Sequence, residues 1–339
     1  MEEIMITRRN TLTLMAAAGL LPLAGKAALA AGSKPVKVGA AVYGLKNEYA
    51  QIWASEIKKH PAFSNGIAEL TVFDGNYDQA TQASQFDLMV TQKYDVAIYI
   101  PIDSYAAKGV IHKALTRGLP TVGSNGPAKS DELVSFVGSD DVAAGQYEAE
   151  VLFKAMGGKG NIVVLIGPEG NLGQEFRTQG NKKALDANSD IKVLERKTAN
   201  WSRSEAMVLM QNWLTSHKGQ IQGVLAQNDE MGLGAIAAMK AAGIDPKTIP
   251  VVGIDGVTDA IRAVKNGEMI LSIRQDAHTQ AQGAVDVALR KVIGDSYKPL
   301  SDCWAEYPQM PWGDGTTKLY PVPWTYVTAE NADKFLNAK

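Results

Sequence analysis

The stretch AQNDEMGLGAIAAMKAAG, residues 226–243, runs from the end of an apolar strand into a helix and decides the fold. Upstream, residues 221–227 read as a short buried strand; downstream, Met231, Ile236 and Met239 recur at helical spacing over an Ala/Gly-rich, close-packing face. Asn228, Asp229 and Glu230 therefore stand at a strand's carboxyl end. In open parallel sheets ligands bind at that edge, because helix N-termini and unpaired backbone amides point into the crevice there. Taken alone, the tripeptide fits equally well a helix simply capped by Asp229 or Glu230. A second junction shifts the balance. In VVGIDGVTDAIRAV, residues 251–264, Val251 to Ile254 form a strand that Asp255 closes, Gly256 permits a tight turn, and Thr258 or Asp259 can cap the next helix. Asp255 is thus a second acceptor at the same edge as Asn228.

Short β-rich runs alternate with amphipathic segments along the chain, the rhythm of repeated βα units around parallel sheets. Strands are predicted at residues 36–42, 68–73, 96–100, 121–123, 136–137, 161–166, 192–197, 223–226, 251–254 and 269–273. So many strands exceed one compact sheet, so the expected fold is α/β with two doubly wound parallel-sheet lobes joined by a multi-strand hinge. One lobe takes residues 34–138 plus about 276–300; the other takes 139–275 plus part of about 315–339. The chain is expected to cross between them at FVGSDD (136–141) and again near Gln275-Asp276, where a helix over 277–293 returns to the first lobe. Beyond Pro299 a tail rich in Pro, Gly and Trp (Trp304, Trp312, Trp324) shows no clear period until residues 322–327.

Composition sets outer limits. The 339 residues, 45% hydrophobic and 21% charged with a formal net charge of −2, offer no basic footprint for nucleic acid or anionic lipid. Arg8-Arg9 precede an apolar run over residues 14–24, and Ala28-Leu29-Ala30 offers a small-x-small cleavage site. An export signal cleaved near Ala30 is expected, with the paired arginines resembling a twin-arginine signal in which Thr11 replaces the usual Phe. Cys303 is the only cysteine, so an exported chain would have no internal disulfide, and no later segment is apolar for long enough to suggest a membrane helix. The four histidines are scattered, no cluster has metal-ligand spacing, and neither a G-x-S-x-G elbow nor a Walker motif occurs. No metal, no cofactor and no catalysis are expected.

Several motifs in a fixed order resemble the periplasmic sugar-binding proteins of ABC importers, the ribose-binding type: GSDDVAAGQ at 138–146, RTQGNKKAL at 177–185, AQNDEMGLGA at 226–235, VVGIDG at 251–256 and IRQDAHTQAQGA at 273–284. The resemblance covers about residues 36–294. It implies a type I periplasmic binding protein whose lobes close on one solute, and a ligand set of Asn47 and Tyr49 from the loop after the first strand, with Arg177, Trp201, Asn228, Asp255 and Gln275 from the second lobe. Where the ribose binder has an Asp-Arg pair after its fourth strand, this chain has Gly123-Ser124-Asn125-Gly126, so Asn125 stands for the Asp and the arginine is missing. Tyr77 falls near the family's Asn or Gln. These departures point away from ribose, toward another neutral monosaccharide or a sugar alcohol. Carboxylates that only accept, guanidinium groups that only donate and amides that do both suit hydroxyls, each of which is one donor and two acceptors. The resemblance further implies a periplasmic monomer that presents its closed form to an inner-membrane ABC permease and to a chemoreceptor. A nicotinamide-dependent sugar dehydrogenase is the rival, through the glycine-rich turns Gly39 to Gly44 and Gly167 to Gly170, neither of which has G-x-G-x-x-G spacing. A sugar-sensing repressor would need a helix-turn-helix where the export signal lies.

Overall fold

Strands that are apolar at every position need cover on both faces, and the computed structural model, which describes residues 34–337, provides it twice. The first lobe contains β1 (Val36–Val42), α1 (Glu48–Lys58), α2 (Pro61–Ser64), β2 (Ala68–Asp74), α3 (Gln79–Thr91), β3 (Val96–Ile100), α4 (Ala106–Thr116), β4 (Thr121–Ser124) and β5 (Phe136–Gly138). The second contains α5 (Asp141–Ala155), β6 (Gly160–Ile166), α6 (Leu172–Asp186), β7 (Ile191–Thr198), α7 (Arg203–Ser216), β8 (Gly223–Ala226), α8 (Asp229–Ala241), β9 (Val251–Asp255), α9 (Thr258–Lys265) and β10 (Leu271–Arg274). The chain then forms α10 (Ala277–Ile293), α11 (Cys303–Glu306), β11 (Leu319–Pro321), β12 (Thr325–Val327) and α12 (Ala332–Leu336). The expected export signal lies outside the described residues.

Side-chain alternation along each central strand splits the cores. Val38, Ala40 and Val42 of β1 and Val96, Ile98 and Ile100 of β3 pack on the side of α1 and α10, while Ala41, Ala97 and Tyr99 pack against α3 and α4. In the second lobe Ile162 and Val164 face α5, whereas Val163 and Leu165 face α7 and α8. The sheet orders are β11-β5-β4-β3-β1-β2 and β12-β10-β9-β8-β6-β7, parallel throughout except that β12 runs antiparallel to β10. Trp53 and Trp213 are buried, as a core role requires.

Three segments cross between the sheets rather than the two expected from sequence: Gly138 to Asp141, Arg274 to Ala277, and Pro321 to Thr325. The third crossing lies in the tail, so the tail serves both lobes: β11 extends the first sheet beside β5, and β12 extends the second beside β10. Helix α10 packs against α1, β3, β4 and β5.

Buried carboxylates hold the tail, Asp276 accepting from the Tyr307 hydroxyl at 2.7 Å and Asp286 making the larger set of bonds. Asp286 in α10 accepts hydrogen bonds from the Tyr297 hydroxyl (2.6 Å), Trp304 Nε1 (2.7 Å), and the backbone N–H groups of Leu300 (2.8 Å) and Ser301 (3.2 Å). His60 completes the set: its Nδ1 accepts from Ala62 N–H, so Nε2 carries the proton toward Asp286 at 3.1 Å. Trp304 and Trp312 then meet edge to face, 4.8 Å between centroids. A segment folded around a polar anchor has no apolar period to read.

Candidate functional site

Most candidate side chains sit at or beside a strand's carboxyl end or at a crossing; Tyr49 lies in the first turn of α1 and Arg177 in the second turn of α6. Tyr43, Tyr49, Asn125, Ile100 and Pro101 from the first lobe, and Asp141, Asn171, Arg177, Trp201, Asn228, Asp255 and Gln275 from the second lobe and its crossings, line one cavity. Of the residues singled out from sequence, Tyr49, Asn125, Arg177, Trp201, Asn228, Asp255 and Gln275 meet there. Asn47 and Tyr77 do not; they line a neighbouring outer groove that shares Trp201 with the cavity. Asn47 is occupied as the N-cap of α1, accepting from Ala50 N–H at 3.0 Å, and its amide donates to the Tyr43 hydroxyl, so Tyr43 takes the place in the wall.

Close backbone packing places the arginine. A Cβ on Gly145 would lie 2.2 Å from the Arg177 carbonyl oxygen, and one on Gly180 would lie 2.2 Å from that of Val142, so α5 and α6 touch where two glycines permit it. That contact brings Arg177 Nε to 2.8 Å from Asp141 Oδ1, while a second guanidinium nitrogen donates to the Gln227 carbonyl and lies 3.9 Å from Asp255. The guanidinium also sits over the Trp201 ring at 5.3 Å. Asp141 was not picked out from sequence. The signal was the doubled acid in GSDD: Asp140 alone caps α5, accepting from Val142 and Ala143 N–H at 3.0 Å each, so Asp141 is left for Arg177.

Asn228 caps α8 itself, its Oδ1 accepting from Met231 N–H at 3.0 Å; neither Asp229 nor Glu230 does so. Asp229 instead binds the β9–α9 turn, accepting from Gly256 N–H (2.7 Å), Val257 N–H (3.0 Å) and the Ser272 hydroxyl (2.7 Å). Glu230 pairs with Arg203 at 2.6 Å. Thr258 and Asp259 do not cap α9 either. Its first N–H groups are taken by Asp229 and, from the first lobe, by Glu48, whose carboxylate accepts from Thr258 N–H at 2.9 Å. The opposite rim is also joined, with Ser104 N–H bonded to Gly170 O at 3.0 Å and the Tyr105 hydroxyl to Glu175 at 2.9 Å. The two lobes are therefore closed on the cavity.

Asp255 is held in a costly state. Its φ of 135° lies in the region that favours glycine, and its carboxylate is buried, accepting one bond from Gln275 Nε2 at 2.8 Å. Burial pushes the carboxyl up to about 6, with Arg177 and Gln275 pulling it down. Burial also raises Asp141 despite its ion pair with Arg177.

Both glycine-rich turns that kept a dinucleotide reading open are explained by aromatic rings. A Cβ on Gly44 would fall 2.4 Å from the Tyr77 ring, and one on Gly167 would fall 2.1 Å from Trp201 Cζ2. Gly167→Ala is accordingly expected to push Trp201 off Arg177 and weaken ligand binding about tenfold with little change in melting temperature. Calorimetric titration checks it; unchanged affinity would remove Trp201 from the ligand's surroundings.

With this geometry in view, comparison with known proteins is consistent throughout. Residues 38–296 match the model of the periplasmic binding protein domain, and the chain belongs to that family. It is 38% identical over 288 residues to the xylitol-binding protein of Mycolicibacterium smegmatis, covering 84% of this chain and 81% of that protein. It is 31% identical over 265 residues to a putative rhizopine-binding protein of Rhizobium meliloti, covering 76% and 85%. An ABC transporter solute-binding protein from Bacillus halodurans, solved with bound myo-inositol, superposes with a TM-score of 0.79 at 28% identity, covering 90% of this chain and 99% of that one.

Proposed function

We propose that this protein is the periplasmic solute-binding component of an ABC importer and takes an uncharged sugar alcohol or monosaccharide between its lobes. One observation carries the reading: a guanidinium, two carboxylates and four side-chain amides line a single small cavity, with Tyr43, Tyr49 and Trp201 as its aromatic walls. Such a lining stands in for the hydration shell of a polyhydroxylated molecule, with charge-assisted bonds contributing about 1.5–3 kcal/mol each. A phosphorylated or acidic sugar would bring negative charge to a cavity where Asp141 and Asp255 face one arginine. A xylitol-binding relative and a solved neighbour with bound myo-inositol support a polyol, while ribose import binding proteins also stand among the relatives.

Export through the twin-arginine signal and removal of residues 1–30 precede binding. The monomer then closes on its solute, because only the closed form bonds it from both lobes. A membrane permease, and a chemoreceptor as a second reader, recognise the closed state. A thermal-shift screen of the mature chain against neutral sugars and polyols tests the proposal: a ligand at about 100 times its Kd adds about 2.7 kcal/mol. No shift with any of them would overturn it.

Binding carries a pH signature. Ligand hydroxyls donating to Asp255 favour its ionised form, so the carboxyl titrates lower in the complex than its value of about 6 without ligand. Affinity is therefore expected to hold above that pH and to fall below it, by at most about tenfold per pH unit. The stability of the ligand-free protein runs the other way. A carboxyl raised by folding contributes stability that is fully present below its unfolded value of about 3.9 and lost as pH rises through about 6. Titrations from pH 4.5 to 8 check both slopes; affinity that rises on acidification would exclude Asp255 as an acceptor.

A further inference from the structure

A buried chain of amides runs from Asp255 into the first lobe and fixes which hydrogens the cavity shows to its ligand. An ionised Asp255 only accepts, so Gln275 turns Nε2 toward it, at 2.8 Å. Gln275 Oε1 must then face the first lobe, where it accepts from Asn125 Nδ2 at 2.7 Å and from Gln280 Nε2 at 3.2 Å. Gln280, wholly buried in α10, gives its other N–H to Ser139 Oγ at 3.1 Å. Its Oε1 accepts from the Tyr49 hydroxyl at 2.5 Å and from Asn125 Nδ2 at 3.0 Å. The Gln280 amide thus makes four bonds, and no choice of amide orientation is left open along the chain.

Asn125 is where this matters. Both of its N–H groups are spent, on Gln275 and Gln280, so Oδ1 is the polar atom left to face the cavity that Asn125 lines. Asn228 is the mirror case: its Oδ1 is spent on Met231 N–H, which leaves the amide hydrogens for the ligand. Two identical side chains therefore offer opposite chemistry, an acceptor from the first lobe and a donor from the second.

We propose that Gln280 is the positioning residue for specificity: without lining the cavity, it absorbs one Asn125 N–H and makes Asn125 a pure acceptor, so the ligand has to present a hydroxyl hydrogen there. The proposal rests on the polyol reading of the cavity. It goes further in selecting against compounds whose oxygen at that point lacks a hydrogen, such as ethers and O-methyl derivatives, and against fluorine in place of hydroxyl. An unpaired carbonyl in a closed cavity is what rejects them.

The test has two arms, each using wild type, Gln280→Met and Gln280→Glu as full mature chains. Side-chain amide 1H–15N spectra of the ligand-free proteins need no ligand. Wild type is expected to protect both Asn125 N–H groups from water exchange, and Gln280→Met to expose one. Gln280→Glu, whose wholly buried carboxyl stays neutral, keeps the acceptor contacts to Tyr49 and Asn125 and gives its O–H to Gln275 Oε1 in place of Nε2, and is expected to retain protection. Calorimetric titration then uses xylitol and each of its monodeoxyfluoro analogues as probes. Fluorine at one position should weaken wild-type binding by about tenfold or more, Gln280→Met should narrow that penalty to about threefold or less, and Gln280→Glu should keep it. Unaltered Asn125 exchange in Gln280→Met, or a fluorine penalty that Gln280→Met leaves intact, would overturn the proposal. Absence of binding by xylitol, other polyols and sugars alike would instead count against the polyol reading, and the spectra would still decide the role of Gln280.

Discussion

Asp255→Gly is expected to stabilise the ligand-free protein by about 1 to 2 kcal/mol while abolishing its response to polyols. The native residue combines a φ of 135° with a buried carboxyl that burial drives up to about 6, so folding without ligand bears both costs. Glycine removes the steric strain and the charge together, offset by about 0.5–1 kcal/mol of extra backbone entropy in the unfolded chain. Binding should fall by about 100-fold or more, because the ligand loses a charge-assisted acceptor and Gln275 Nε2 loses its orienting partner. Asp255→Ala separates the two effects: it also abolishes binding but keeps the strained backbone, so it should be the less stable of the pair. Thermal melts with and without polyol measure both quantities. An Asp255→Gly protein that melts lower than Asp255→Ala would contradict the strain argument.

Arg177→Met is the second large effect. It removes the partner of a buried Asp141 and the guanidinium donors at once, and breaking a buried ion pair from one side costs about 3–5 kcal/mol. Binding should disappear with it. Asp141→Asn in the Arg177→Met background should recover much of the stability but none of the binding, because a neutral amide needs no counter-charge. Denaturant unfolding of the two single variants and the double gives the coupling, expected at about 2 kcal/mol. Additive single effects would mean that Asp141 does not depend on Arg177.

Much of this architecture was legible because the central strands are continuous apolar runs and the site residues sit at strand ends. Asn228 and Asp255 could be placed on one sheet edge from chain order alone, since polar residues directly after buried strands have few other places to be. What escaped were roles set by neighbours distant in sequence. Capping of α9 by Glu48 and Asp229 replaces the local cap that Thr258 or Asp259 would supply, 210 residues separating Glu48 from Thr258. Asn47 and Tyr77 line the outer groove rather than the cavity, Asn47 held as the α1 cap and Tyr77 drawn onto Gly44 and, at 5.5 Å, the Tyr43 ring. The tail was opaque because Asp286 and an aromatic cluster, not a periodic apolar face, shape it. Gln280 was invisible for the same reason: an amide inside IRQDAHTQAQGA differs from Gln282 only in the partners that other elements bring to it.

Donors and acceptors from both lobes are expected to converge on one uncharged, hydroxyl-rich ligand. A crystal structure of the protein with the polyol that gives the largest thermal shift is the most direct test. The polyol is expected to lie enclosed by Asp255, Arg177 and Asn228 on one side and Asn125 on the other, with hydroxyls within hydrogen-bond distance of each. A polyol seated in the outer groove between Tyr77 and Trp201, with Asp255 untouched, would contradict it.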